Sequence, residues 1–251
     1  RAPFDKLLAD RAEEIGADIR YQQEVTEVNF NDDGVQLSIK SAEGDYQLNS
    51  KFVLDGSGFG RVLPRLLSLE LPSVLSDRKS FFCHIKDNIT CDSFDRNKIL
   101  ITVHPEKEDI WYWLIPFSDG TASIGVVGEV SYFDENMSEE QILDKFIADD
   151  DNLSRILNKA EKLNEVRSIR GYSADVTSLY GDKFALLGNA GEFLDPVFSS
   201  GVTIAMHSAS LAANLLDKQL SGQDVCWEKD YSVPLKKGVE VFKHFVMSWY
   251  D

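Results

Sequence analysis

From Ala185 to Ala213 the chain reads ALLGNAGEFLDPVFSSGVTIAMHSASLAA: an apolar strand, a glycine turn, a proline-bent loop, then a helix opening at Ser199-Ser200-Gly201-Val202. The first amides of a helix lack intrahelical partners and sit at the positive end of its dipole. A buried strand end delivered to the same point makes a place for an anionic or electron-rich ligand. An ordinary helix start, with Ser199 or Ser200 as cap and Gly201 as a flexible joint, uses the same residues. Such a cap has no need of the Gly188-Asn189 turn upstream or of Asp195-Pro196 between them. Trp111-Tyr112-Trp113-Leu114-Ile115-Pro116 is the second concentration of chemistry. In a strand Trp111, Trp113 and Ile115 share one face, so two indoles stand side by side. That face either packs a core or walls a site for a flat apolar molecule. The third is Lys51-Phe52-Val53-Leu54-Asp55-Gly56-Ser57-Gly58, a short buried strand running into an acidic-glycine turn. Glycine there lets backbone approach a ligand closely, although a strand, turn and helix without a ligand fit it as well.

Together these segments resemble the FAD-dependent hydroxylase superfamily, on its flavin-dependent halogenase branch with geranylgeranyl-reductase-like relatives. Gly188-Asn189-Ala190 resembles the Gly-Asp segment whose polar side chain bonds the ribityl chain. Residues 193–202 resemble the corresponding loop of the halogenases. Trp111 to Pro116 matches their W-x-W-x-I-P signature, and Asp55-Gly56-Ser57-Gly58 their D-[AG]-S-G turn, with Leu63 and Arg65 in the place of its L-x-R. The chain departs from the pattern at Phe59-Gly60-Arg61. Arg1-Ala2-Pro3-Phe4-Asp5 resembles an R-x-x-F-D that lies well inside full-length relatives, and Val25 matches a residue whose backbone meets the adenine.

The resemblance implies FAD as cofactor, with Arg1, Val25, Asp55, Gly56, Ser57, Gly188, Asn189, Pro196, Ser199, Gly201 and Val202 as cofactor-binding residues. It implies that reduced flavin and oxygen oxidise a halide held by the Ser200 and Gly201 amides, and that a lysine passes the halogen to the substrate. Trp111, Trp113 and Phe198 would be substrate-side. Phe198 stands where tryptophan-directed halogenases carry an acid, which turns the expectation toward phenolic, pyrrolic or lipid-like small molecules. Electrons would come from a flavin reductase or NAD(P)H. The alternatives are a geranylgeranyl-reductase-type reductase or an aromatic hydroxylase on the same framework, and a non-catalytic flavin-binding module. No G-x-G-x-x-G pyrophosphate turn occurs in the sequence, so the chain is expected to be a piece lacking the N-terminal segment that carries it, and to stop short at its C-terminal end as well.

Composition is that of a globular domain: 251 residues, 43% hydrophobic and 27% charged. With 42 acidic against 26 basic residues the formal net charge is -16, which disfavours nucleic acid and anionic membranes as partners. No apolar run is long enough to span a bilayer. Cys83, Cys91 and Cys226 are odd in number and lack C-x-x-C spacing, as expected of reduced thiols in the cytoplasm. The histidines, 84, 104, 207 and 244, are scattered, and no metal is expected.

The elements that must position these residues follow from periodicity. Pro3 and the spacing of Phe4, Leu7, Leu8, Ala12 and Ile15 predict an amphipathic helix ended by Gly16. Strands are expected at Ile19–Tyr21 and Glu24–Phe30, and Asn31-Asp32-Asp33-Gly34 turns into Val35–Lys40 to begin a meander. Long strands at Phe81–Ile85, Ile99–His104, Ile110–Pro116 and Thr121–Gly128 lack intervening helices and predict an antiparallel sheet. A helix opens after Met137, and Lys183–Gly188 returns to the cofactor half. The expected fold is mixed α/β (α+β in its middle): a partial Rossmann-like FAD-binding domain at 1–78 and 180–222, an inserted, largely antiparallel β-sheet substrate domain at 79–179, and a C-terminal helical region from 223 to 251.

Overall fold

The computed structural model describes residues 2–73, 75–91 and 94–250. Helix α1 (Ala2–Glu14) ends at Gly16, whose φ of 103° lets the Ala17 amide reach back to Ala12 O at 2.9 Å. Its apolar stripe is there but unburied, with Leu7 64% exposed. The strand expected at Ile19–Tyr21 is absent: Gln22 takes φ 57° and the chain turns there instead of extending. Strands β1 (Glu24–Asn31), β2 (Gly34–Lys40) and β3 (Tyr46–Ser50) form the antiparallel meander. Asn31 Oδ1 closes its first turn by accepting from the Asp33 and Gly34 amides. Position 34 must be glycine, since a Cβ would lie 2.2 Å from Ser50 O.

Strand β4 (Val53–Asp55) leads through a tight turn to α2 (Val62–Leu66) and β5 (Glu70–Leu71). The antiparallel sheet follows: β6 (Arg78–Lys86), β7 (Leu100–Val103), β8 (Trp111–Pro116) and β9 (Thr121–Glu129). Helices α3 (Glu139–Asp149) and α4 (Asp151–Ile156) cover one face, and β10 (Glu161–Lys162) and β11 (Arg167–Arg170) both pair with β6. The remaining order is β10-β6-β9-β8-β7. Alternation divides the sheet cleanly. Phe81, Cys83, Ile85, Tyr112, Leu114, Ile124 and Val126 pack under Leu143, Phe146 and Leu153, and Tyr112 OH donates to Phe146 O at 3.0 Å. Burial there pushes the Cys83 thiol up to about 11, so it stays protonated and inert. Helix α3 starts at a reciprocal cap, Ser138 Oγ accepting from Gln141 N while Gln141 Oε1 accepts from Ser138 N.

The chain then returns through β12 (Asp175–Val176), which pairs β5, and β13 (Tyr180–Gly181) to β14 (Phe184–Leu186), which pairs β4 in parallel. Helix α5 (Gly201–Leu220), a short π-helical turn at Glu228–Ser232 and α6 (Val233–Tyr250) complete the fold. A second core gathers Leu63, Ala185, Leu186, Ala212, Leu215, Trp227 and Tyr231, with Tyr231 OH donating to Leu186 O. This is the mixed α/β architecture with an antiparallel sheet between the halves of the parallel pair. Among the described residues no helix is long and apolar enough to cross a membrane.

Candidate functional site

The parallel pairing of β14 with β4 sets the turns that follow both strands side by side, with Leu187 N donating to Asp55 O at 2.8 Å. After β14, Gly188 takes φ 52° and lies against α5, where a Cβ would come within 2.9 Å of Ala205 Cβ. Its amide donates to Ser208 Oγ, which donates to Ala205 O. The turn is thus clamped to the helix. That clamp brings Asn189 to Gly201: a Cβ built on Gly201 would lie 3.5 Å from Asn189 Oδ1 and 3.7 Å from Phe193 Cε2. Asn189 Oδ1 is shielded from solvent and has no hydrogen-bond partner among the described residues. A buried amide oxygen left unpaired costs on the order of 1–3 kcal/mol, so a donor from a ligand is what this position calls for.

Helix α5 begins as the sequence led one to expect, with a difference in its cap. Ser200 occupies the cap position in helical geometry and makes no side-chain capping bond, and Gly201 is an ordinary helical residue. The left-handed residue is Ser199, at φ 51° and ψ 32°. A left-handed residue followed by the right-handed Ser200 turns successive amides to one side, an arrangement that suits an anion. Val202 is exposed in the first turn beside them.

At the β4 end the Asp55 carboxylate is buried and occupied. Oδ1 accepts from Ser57 N and Oδ2 from Leu63 N, both at 2.8 Å, while Ser57 Oγ accepts from Val62 N at 3.0 Å. Asp55 and Ser57 therefore build the turn and start α2, and Gly56 is exposed between them. Val25 is half-buried on β1 where the register to β2 shifts by a bulge. Arg1 lies outside the described residues.

Facing these turns is the second side of the sheet. A cavity of about 390 Å³ opens between it and the 193–199 loop. Trp111, Trp113 and Ile115 line it as alternation requires, with Phe82, Phe59, Phe193, Pro196 and Ser199 around them. The two indole rings lie 5.9 Å apart, and Phe59 meets Phe193 edge-on at 5.0 Å. Trp113 can lie flat over β9 because residue 125 is glycine; a Cβ there would be 2.2 Å from the ring. Its Nε1 donates to Ser123 Oγ at 3.0 Å. Among the described residues no Asp, Glu, Lys or Arg lines the cavity. Lys79, on the other face of β6, rests over the Phe81 ring. Phe198 does not line the cavity either. It is 40% exposed, and its ring sits 6.1 Å from those of Phe245 and Trp249 on α6. The left-handed turn at Ser199 follows it, and its side chain lies toward α6.

Three groups escaped the reading of the sequence. Asp195, 2% exposed, accepts from Val197 N and from Tyr250 OH, and Tyr250 OH accepts in turn from Trp111 Nε1 at 2.8 Å. Burial raises the Asp195 carboxyl above its ordinary range. Arg78 lies over the Tyr250 ring, 3.4 Å from its centre. Glu192 is held beside Asp175 by the Ala174–Phe193 bridge, and burial, then the hydrogen bond and charge of Asp175, push it up to about 7. Tyr172 lines the cavity with a buried hydroxyl that has no partner among the described residues. Only Asp195 carried a local signal, the Asp-Pro pair; the partners of the others lie far off in sequence.

The family model described as "Tryptophan halogenase" matches residues 1–251. The chain is 26% identical over 265 residues to the 1H-pyrrole-2-carbonyl-[peptidyl-carrier protein] chlorinase of Pseudomonas fluorescens, covering 100% of this chain and 57% of that protein. Among solved structures, a flavoprotein/dehydrogenase from Cytophaga hutchinsonii superposes with TM-score 0.93 at 41% identity, covering 100% of this chain and 62% of that one. A myxobacterial chondrochloren halogenase, described as a variant of FAD-dependent halogenases, superposes with TM-score 0.89 at 26% identity, covering 100% and 59%. The chain thus spans about three-fifths of the length of these proteins.

Proposed function

This chain belongs to the tryptophan halogenase family of FAD-dependent oxidoreductases, and on that premise we propose that its protein oxidises a halide and halogenates an uncharged aromatic substrate. The cofactor is FAD. The observation that carries the reading is the meeting of Asn189 Oδ1, buried and unpaired, with the uncapped start of α5 beside an apolar cavity walled by two indoles. Asn189 is left to accept from a ribityl hydroxyl, and Gly201 leaves room for the ring system beside it. Gly188, Pro196, Ser199 and Val202 shape that wall, and the family resemblance assigns Arg1, Val25 and Gly56 to cofactor binding, Val25 by its backbone at the adenine. Bound there, FAD supplies, with oxygen and electrons from NAD(P)H or a flavin reductase, the oxidising power for the halide.

The Ser200 and Gly201 amides hold the halide, using the positive end of the helix dipole at the start of α5. Trp111 and Trp113 keep water from the cavity and orient a flat ring. Its uncharged lining favours a neutral pyrrole- or phenol-like ring over a free amino acid, whose two charges would be left unpaired. The division into cofactor segments at 1–78 and 180–222 and a substrate sheet at 79–179 belongs to the same proposal.

Crystals of the FAD-loaded full-length protein soaked in bromide test it. An anomalous peak within hydrogen-bonding reach of the Ser200 and Gly201 nitrogens is expected, and Gly201→Val, whose branches reach toward Asn189 and Phe193, should remove it, with FAD occupancy in the same crystals separating loss of the halide site from loss of the cofactor. The flavoprotein/dehydrogenase relative favours a second reading, flavin chemistry without halide. No bromide at that site, with substrate turnover indifferent to halide, would decide for it.

A further inference from the structure

The cavity beside α5 is apolar except at a few points, and its two indole N–H groups are already engaged. Trp111 Nε1 donates to Tyr250 OH and Trp113 Nε1 to Ser123 Oγ, so neither indole has an N–H to offer. His84 and Ser199 are exposed at its margin. Tyr172 differs from all of them. It follows β11 at a left-handed Gly171, its ring stands edge-on to Phe193 at 5.8 Å, and the residue is 6% exposed. Its hydroxyl is buried without a partner among the described residues. Asp195, whose charge acts on this phenol, already takes Val197 N on Oδ1 and Tyr250 OH on Oδ2. Burial and the Asp195 charge raise the phenol well above its ordinary range, which keeps the proton on it.

A phenylalanine would fill the same space without the cost of an unsatisfied hydroxyl, on the order of 1–3 kcal/mol. A hydroxyl kept there has its partner in what the cavity receives. We propose that Tyr172 OH is the hydrogen-bond donor that holds an acceptor oxygen of an uncharged aromatic substrate in this cavity. The substrate class is then a neutral ring bearing a carbonyl or hydroxyl oxygen, its body between the indoles and the phenylalanines. The assignment rests on the cavity being the substrate chamber, as proposed above.

Acetophenone and ethylbenzene are the probes: the same ring and nearly the same size, with and without the carbonyl oxygen. Their dissociation constants are measured by titration on the FAD-loaded full-length protein and on Tyr172→Phe. The native protein is expected to prefer acetophenone relative to the variant by about tenfold, the effect of one hydrogen bond. Ethylbenzene affinity and FAD retention should not change. Equal loss of both probes in the variant would make Tyr172 a packing residue, and no change in either would mean that water or an internal group satisfies the hydroxyl; either result overturns the assignment while leaving the chamber intact. Failure of both probes to bind the native protein would overturn the chamber reading and this assignment with it.

Discussion

At the scale of single residues, two polar groups carry the argument because each is buried without a full set of partners. Asn189 Oδ1 is the first. Asn189→Leu should weaken FAD binding to the full-length protein by at least about tenfold, while Asn189→Asp, which keeps an acceptor and adds charge, should hold FAD as well or better. A flavin titration reads both, and unchanged affinity in the leucine variant would make the turn purely structural. Glu192 is the second, with a folded pKa of about 7 against an ordinary 4.5. Between those two values the folded state keeps a proton that the unfolded chain has released. Stability contributed by the protonated form is therefore complete below about 4.5 and lost as pH rises toward about 7. Glu192→Gln keeps a neutral hydrogen-bonding group at every pH. Melting temperatures taken at about pH 5 and about pH 8 should show the variant gaining on the native protein at the higher pH. An equal difference at both values would rule out the raised pKa.

At the scale of elements, the site depends on two glycines that serve different contacts. Gly125 sits in mid-strand, where glycine ordinarily weakens a sheet, and the Trp113 ring occupies the space a side chain would take. Gly125→Ala should displace that indole, costing about 1–3 kcal/mol as an overpacked position and changing the near-ultraviolet circular dichroism. A variant with native stability and an unaltered aromatic spectrum would show that the ring has another place to go. Gly188 combines φ 52° with the backbone of Ala205 3.0 Å from where a Cβ would be. Gly188→Ala should thus loosen the turn from α5, with a loss of comparable size in a urea titration and weaker FAD retention. Loss of stability without loss of FAD would separate the clamp from the cofactor. These glycines stand in the sequence for anyone to see, but the contact that requires each comes from another element.

At the scale of the whole molecule, the sheet and the helical half are joined where Trp111, Tyr250 and Asp195 meet. Trp111 belongs to β8 and Tyr250 to the end of α6, 139 positions later. Trp111→Phe removes the donor to the Tyr250 hydroxyl and Tyr250→Phe removes that hydroxyl itself. Their destabilisations should fall short of additivity, with a coupling of about 1 kcal/mol in a double-mutant cycle followed by urea denaturation. Strict additivity would mean that the two ends meet without depending on one another.

The sequence by itself determined what is short in range. Period-two alternation put Trp111, Trp113 and Ile115 on one face, turn chemistry ended α1 at Gly16 and closed the hairpin at Asn31–Gly34, and the run through Gly188 and Gly201 announced a strand, turn and helix of one cofactor half. Each of these is decided by neighbours within a few positions, so local pattern suffices. The tertiary structure decided the rest. It occupied both oxygens of Asp55 with backbone amides, gave the left-handed turn before α5 to Ser199, sent Phe198 toward α6 and denied a strand to Ile19–Tyr21. It also set Tyr172 at the cavity and Glu192 against Asp175. Whether a polar group is satisfied depends on which distant segments pack around it, and that information lies in the assembled layers rather than in the spacing of residues along the chain.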